Sequence, residues 1–150
     1  MDKIPFGQFK DETVKSLIMK ELDYIAWILR QESPSGPLVA LKDEVMRHVK
    51  IFDAKPIQRV CCVCSAEAKY CAVAQKSVIN PIWYCNECDP FDNVLIESDL
   101  EYIRSYRDAI EHCKGYRVDK KSALMFIKAI ATAKGLGKRL TEKELDKFFQ

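Results

Sequence analysis

Cys61-Cys62-Val63-Cys64 and Cys85-Asn86-Glu87-Cys88 constrain the fold of this chain more than any other feature. Two CxxC pairs with residues 65–84 between them have the spacing of a four-thiolate metal site. Each pair turns two sulfurs to one side of a tight loop, and two such loops facing each other form the tetrahedral S4 cage that Zn²⁺ favours. A segment of roughly 35 residues cannot be held by its own apolar core. Bound metal then supplies much of its folding free energy, about 10–16 kcal/mol apparent in small zinc peptides. Cys61 and Cys62 are adjacent, and either can pair with Cys64. The spacing of 61–64 copies that of 85–88 and favours Cys61, giving Cys61, Cys64, Cys85 and Cys88 as the expected ligands. Cys71 falls in a predicted strand and reads as a small buried residue.

Seven cysteines cannot close a complete disulfide framework. Met1-Asp2-Lys3-Ile4-Pro5 has no leader-like pattern of charge followed by an apolar run. No apolar stretch approaches the ~20 residues that cross a bilayer. The expected setting is a reducing, cytoplasmic interior with no membrane partner, where CxxC pairs serve metals more often than disulfides. A closed S4 cage leaves no position for water or substrate. His48 and His112, the two histidines, lie on predicted helices away from the cysteines. Asp89-Pro90-Phe91-Asp92 is the one tight acidic cluster and reads as a turn closing the metal segment. No catalytic residue is therefore assigned, and no enzyme activity is expected.

Residues 58–92 read in the order strand, knuckle, strand, strand, knuckle. Lys69–Ala74 alternates in part like a strand, and Val78–Tyr84 leads into the second cysteine pair. This segment resembles a zinc ribbon. Before it, Ile4–Lys10 reads as a short aromatic strand with a glycine turn, and Thr13–Ile18 as a helical turn or strand. Leu22, Ile25, Ala26, Ile28 and Leu29 have helical period over residues 21–31. Ser33-Pro34-Ser35-Gly36-Pro37 breaks that helix. Leu38, Leu41, Val45, Met46 and Val49 mark another, ending near Lys50.

Pro5-Phe6-Gly7-Gln8-Phe9-Lys10, followed by Leu22-Asp23-Tyr24-Ile25-Ala26-Trp27-Ile28-Leu29, resembles the small C-terminal domain of exodeoxyribonuclease X-like proteins. That family carries PFGKYKG and then a helix with Tyr-Leu-x-Trp-Leu-Leu. The match runs in order over residues 4–50, with Gln8 in place of a lysine and Asp11 in place of a glycine. The resemblance implies an accessory module that accompanies nucleic-acid enzymes. It implies no exonuclease activity, because the DEDD-type catalytic domain has no counterpart here. Tyr24 and Trp27 are expected in the core, since a few aromatics supply most of the buried area of so small a module. Phe9 and Lys10, beside the turn, are the candidates there for ligand contact.

Residues 93–150 read as helical. Ser98-Asp99-Leu100-Glu101 has the form of a capping box opening a helix to about Cys113. Asp119 caps the next helix, Gly135-Leu136-Gly137 ends it, and Thr141-Glu142-Lys143-Glu144 starts a third. The overall expectation is an α+β protein: an αβ module over 1–55, a four-cysteine zinc ribbon of short antiparallel strands over 58–92, and a helical segment with a basic patch over 96–150.

Charge is uneven. From Lys114 to Arg139 there are eight basic residues against one acid, whereas residues 1–57 balance nine against nine. Gly135-Leu136-Gly137-Lys138-Arg139 lacks the spacing of a phosphate-cradling GxxxxGK[ST] loop, which argues against nucleotide hydrolysis. Aromatics beside cations, Phe9 with Lys10 and Tyr116 with Arg117, suit stacking on unpaired bases while charges follow the phosphates. Lys114, Arg117, Lys120, Lys121, Lys138 and Arg139 complete the candidate nucleic-acid contacts, with DNA expected before RNA. The function expected is that of a non-catalytic, zinc-binding accessory to a replication, repair or transcription enzyme. The alternative is an adaptor with structural zinc, binding a polymerase, nuclease or other protein.

Overall fold

A computed structural model describes residues 3–74, 81–88 and 100–150. Within them the chain is α+β, with helices α1 (Val14–Lys20), α2 (Leu22–Leu29), α3 (Pro37–Ala54), α4 (Tyr106–Gly115), α5 (Lys120–Ala133) and α6 (Glu142–Phe148). Strands β1 (Tyr70–Ala74), β2 (Ile82–Tyr84) and β3 (Leu100–Ile103) form one antiparallel sheet in the order β2-β1-β3.

Local chemistry accounts for most helix ends. The Thr13, Ser105, Asp119 and Thr141 side chains accept the backbone N–H of Ser16, Asp108, Ser122 and Glu144, each satisfying a donor that a helix start leaves free. Pro37 opens α3 after Gly36, whose φ of 59° suits glycine. This helix runs past the expected Lys50 to Ala54 because its buried stripe continues as Leu41, Val45, His48 and Phe52.

Two expectations change. Ile4–Lys10 is not a strand. The Ile4 N–H donates to Glu12 O at 2.8 Å and the Asp11 N–H to Ile4 O at 2.9 Å, closing a loop over buried Ile4. Asp11, where the exonuclease family pattern has glycine, holds φ 72°, a left-handed conformation that aspartate tolerates better than most side chains. Nor does the expected helix run through Leu100–Ile103. Leu100–Ile103 is a strand, and the next helix starts at Tyr106 behind Ser105. Ser98 and Asp99 themselves, like Asp89–Asp92 and Val78–Asn80, lie outside the described residues.

The sheet is a partition. Pairing sets Tyr70 opposite Tyr84 and Ala72 opposite Tyr102, and these residues cluster with Cys61 and Cys85 on one face. Cys71, Val73, Trp83 and Ile103 point to the other face, into the main core. That core also takes residues from all six helices, from Val14 and Ile18 to Phe148 and Phe149. Both faces of a sheet this small are thus covered, one by the cysteine knuckles and one by helices. Among the described residues, no helix is long and apolar enough to cross a membrane.

Candidate metal centre

The two knuckles hang from the β2–β1 side of the sheet. In the first, an isolated bridge pairs Val60 with Glu67. The Cys61 N–H donates to Ala66 O at 2.7 Å, and the Ser65 N–H returns to Cys61 O at 3.0 Å. Ser65 takes φ 63° to make that reversal. The second knuckle follows β2 directly. The first is tied to this strand by Cys62 N–H to Trp83 O at 2.9 Å and Lys69 N–H to Tyr84 O at 2.8 Å. Tyr70 reaches from β1 to donate its hydroxyl to Cys88 O at 3.2 Å, with the Arg104 guanidinium stacked 4.0 Å from its ring centre.

Cys61, Cys64, Cys85 and Cys88 converge, their four sulfurs all within 4.8 Å of one another. Cys64 and Cys85 are 3.6 Å apart at sulfur, far beyond a disulfide. A metal bound to four sulfurs at about 2.3 Å separates them by about 3.8 Å, so the arrangement has the dimensions of an S4 cage. Cys61 and Cys85 are buried, Cys88 is half-buried and Cys64 exposed, placing the cluster at the surface edge of the sheet. Burial raises the Cys61 thiol, but N–H groups of Cys64, Cys85 and Val63 aimed at its sulfur bring it down to about 6. Cys88 is held high by the neighbouring sulfurs of Cys85 and Cys64. Four thiolates this close repel one another unless a cation sits among them, so the donor set suits a bound metal ion.

Geometry separates the two adjacent candidates. Cys61 is in the cluster, while Cys62 is exposed outside it. Substituting Cys62→Ser is expected to leave the metal content unchanged, and Cys61→Ser to abolish stoichiometric binding; elemental analysis of purified protein reads both. Cys71 lies on the opposite face of the sheet, where burial pushes its thiol up to about 12. It is a core residue. His48 and His112 are each buried at 1% exposure on α3 and α4, and neither joins the cysteines.

The basic candidates separate into groups. Lys114, Arg117 and Lys120 line one cavity of 310 Å³ together with Lys20, which sequence reasoning left out because nothing local distinguishes it. Glu21 and Asp23 share the rim, and Glu21 lies 3.3 Å from Lys120. Lys121 is exposed on the same helix as Lys120, in the adjoining groove. Lys138 and Arg139 are exposed in the turn between α5 and α6, which is anchored by buried Leu136. Lys134, counted in the basic run, is buried at 8% exposure.

At the N-terminal loop, Lys10 is exposed and Phe9 is half-buried, its ring 4.6 Å from that of Tyr24. Trp27, expected in the core, is 44% exposed and stacks on Tyr24 at 5.8 Å. The exposed ring in this row is therefore Trp27 rather than Phe9. Comparison of the chain with family models, curated proteins and solved structures finds no match, so the use of these surfaces rests on their own chemistry.

Proposed function

We propose that this chain is a non-catalytic, zinc-clasped protein that binds the phosphate backbone of nucleic acid, DNA before RNA, as an accessory to a replication, repair or transcription enzyme. Zinc is the metal of choice for four thiolates at tetrahedral spacing, because it needs neither redox chemistry nor an open position. The observation that carries the nucleic-acid reading is the gathering of Lys20, Lys114, Arg117 and Lys120 around one cavity from three helices and a turn. Four cations there face two carboxylates, leaving an excess of positive charge where phosphates can approach. Trp27, the exposed ring of the Phe9–Tyr24–Trp27 row, adds an aromatic face on which an unpaired base can stack. No side chain is assigned to base readout.

Fluorescence anisotropy with labelled single- and double-stranded oligonucleotides tests the reading. If about four phosphates are neutralised, affinity is expected to fall on the order of 10²-fold between about 50 and 200 mM salt. The double variant Lys114→Glu, Arg117→Glu is expected to weaken binding at every sequence tested and to flatten the salt slope. Absence of binding at low salt, or binding indifferent to salt, overturns it.

A further inference from the structure

A second surface lies beside the basic cavity and has different chemistry. Met19 and Lys20 at the end of α1, the outer face of α5 and Leu140 before α6 enclose a groove of 640 Å³. Its apolar lining is exposed Met125 with half-buried Leu124 and Leu140, over buried Met19, and its rim is Lys20, Lys120, Lys121 and Lys128. Among the described residues, no carboxylate lines it. Lys120 is engaged with Glu21, but Lys20, Lys121 and Lys128 form no ion pair with any described carboxylate. Met125 is 62% exposed, the most exposed large apolar side chain among the described residues.

We infer that this groove docks an acidic amphipathic helix of a partner protein. An apolar stripe at i, i+3, i+4 and i+7 lies along the methionine–leucine floor, and flanking Asp or Glu residues meet the lysine rim. Charge complementarity selects this occupant. A ring of lysines without carboxylates attracts an anionic partner and repels a basic one. The floor then excludes other polyanions. It has no aromatic ring to stack a base, and a phosphate chain laid across it would lose water without gaining a donor from the floor. Met125 gives the floor the adaptability that a thioether brings to helix-binding surfaces.

This inference shares Lys20 and Lys120 with the nucleic-acid reading, so its experiment relies on Met125, Lys121 and Lys128, none of which lines the basic cavity. The probe is a synthetic peptide of about 18 residues with a leucine stripe at helical spacing and Glu on both flanks. It is titrated into the full-length protein by calorimetry and by methyl NMR. Expected are saturable binding and shifts concentrated on the methyls of Leu124, Met125 and Leu140. Met125→Glu and the double variant Lys121→Glu, Lys128→Glu are each expected to weaken binding at least tenfold, with unchanged circular dichroism and thermal midpoint. A scrambled peptide of the same composition should bind at least tenfold more weakly.

Equal binding of the scrambled peptide, or no binding of either, overturns the inference. So does an oligonucleotide or an anionic phospholipid vesicle that binds in place of the peptide and is lost in Met125→Glu. Failure of Lys114→Glu, Arg117→Glu to affect oligonucleotide binding would sink the nucleic-acid reading alone.

Discussion

Chelating the metal is expected to unfold the two cysteine knuckles and release β2, while α1 to α6 keep their structure. The knuckles contain almost no apolar material of their own. Val60 and Val63 are exposed, and the cluster on that side of the sheet is Cys61, Tyr70, Ala72, Tyr84 and Cys85. Two of those five are themselves ligand candidates. Without a cation, the cluster must either protonate or separate its sulfurs, and the short turns that hold them lose their reason to close. β1 has a second anchor. Cys71 and Val73 point into the helical core, and its pairing with β3 runs over four residue pairs.

Hydrogen exchange with and without chelator should therefore separate two regions. Residues 59–69 and 82–88 are expected to lose protection by several orders of magnitude, matching a metal contribution of about 10–16 kcal/mol in isolated zinc peptides. The helices should hold theirs, and β1 should fall between. Equal loss across the helices would mean the clasp holds the entire chain. No change anywhere would mean that no metal stabilises the knuckles.

The division between those regions explains what the sequence could and could not disclose. The cysteine quartet is legible because metal geometry is a local matter of spacing within each CxxC and of types across the two. The starts of α5 and α6 are legible because Asp119 and Thr141 cap their own helices within three residues. β3 was missed for the opposite reason. Leu100 and Ile103 are three apart, a helical spacing, and nothing within the segment states that β1, about thirty residues earlier, offers it an edge. The end of α3 was misplaced because His48 occupies a core position in a stripe that polarity hides. Trp27 misled in the other direction: a large ring on an amphipathic helix reads as core, yet it stacks outside on Tyr24. The basic run contained the largest disguise, since seven of its eight cations remain at least partly open to solvent and the eighth, Lys134, does not.

Replacing Lys134 with methionine is expected to destabilise the fold by about 2–4 kcal/mol, because its ammonium closes the C-terminal end of α3. The last carbonyls of any helix lack intrahelical donors and carry the negative end of its dipole. Here Lys134 Nζ donates to Phe52 O at 2.9 Å and to Asp53 O and Lys55 O at 3.2 Å each. It also lies 5.2 Å from the centre of the Phe52 ring. Asp53, in turn, accepts the Tyr106 N–H at 2.7 Å at the start of α4, so one small network joins α3, α4 and the end of α5. Methionine fills similar volume and keeps the apolar contacts, which confines the loss to the ammonium: Asp53 O and Lys55 O lose its donation, and Phe52 O keeps only the Lys55 N–H at 3.3 Å. For a chain of this size the expected drop in thermal midpoint is about 5–15 °C.

A pH signature distinguishes this loss from simple packing damage. Burial lowers the Lys134 pKa from its ordinary 10.5, with Asp53 and Cys71 pulling it partly back. The unfolded chain therefore binds the proton more tightly, and stability contributed by this group rises with pH between the lowered value and 10.5. Chemical denaturation across that window should show the rise in the native chain and its disappearance in Lys134→Met. A variant as stable as the native chain, with the same alkaline profile, would mean the α3 carbonyls are satisfied by water and the lysine is incidental. The expected loss instead makes Lys134 a second fastening, on the far side of the sheet from the metal, and each can be released without the other.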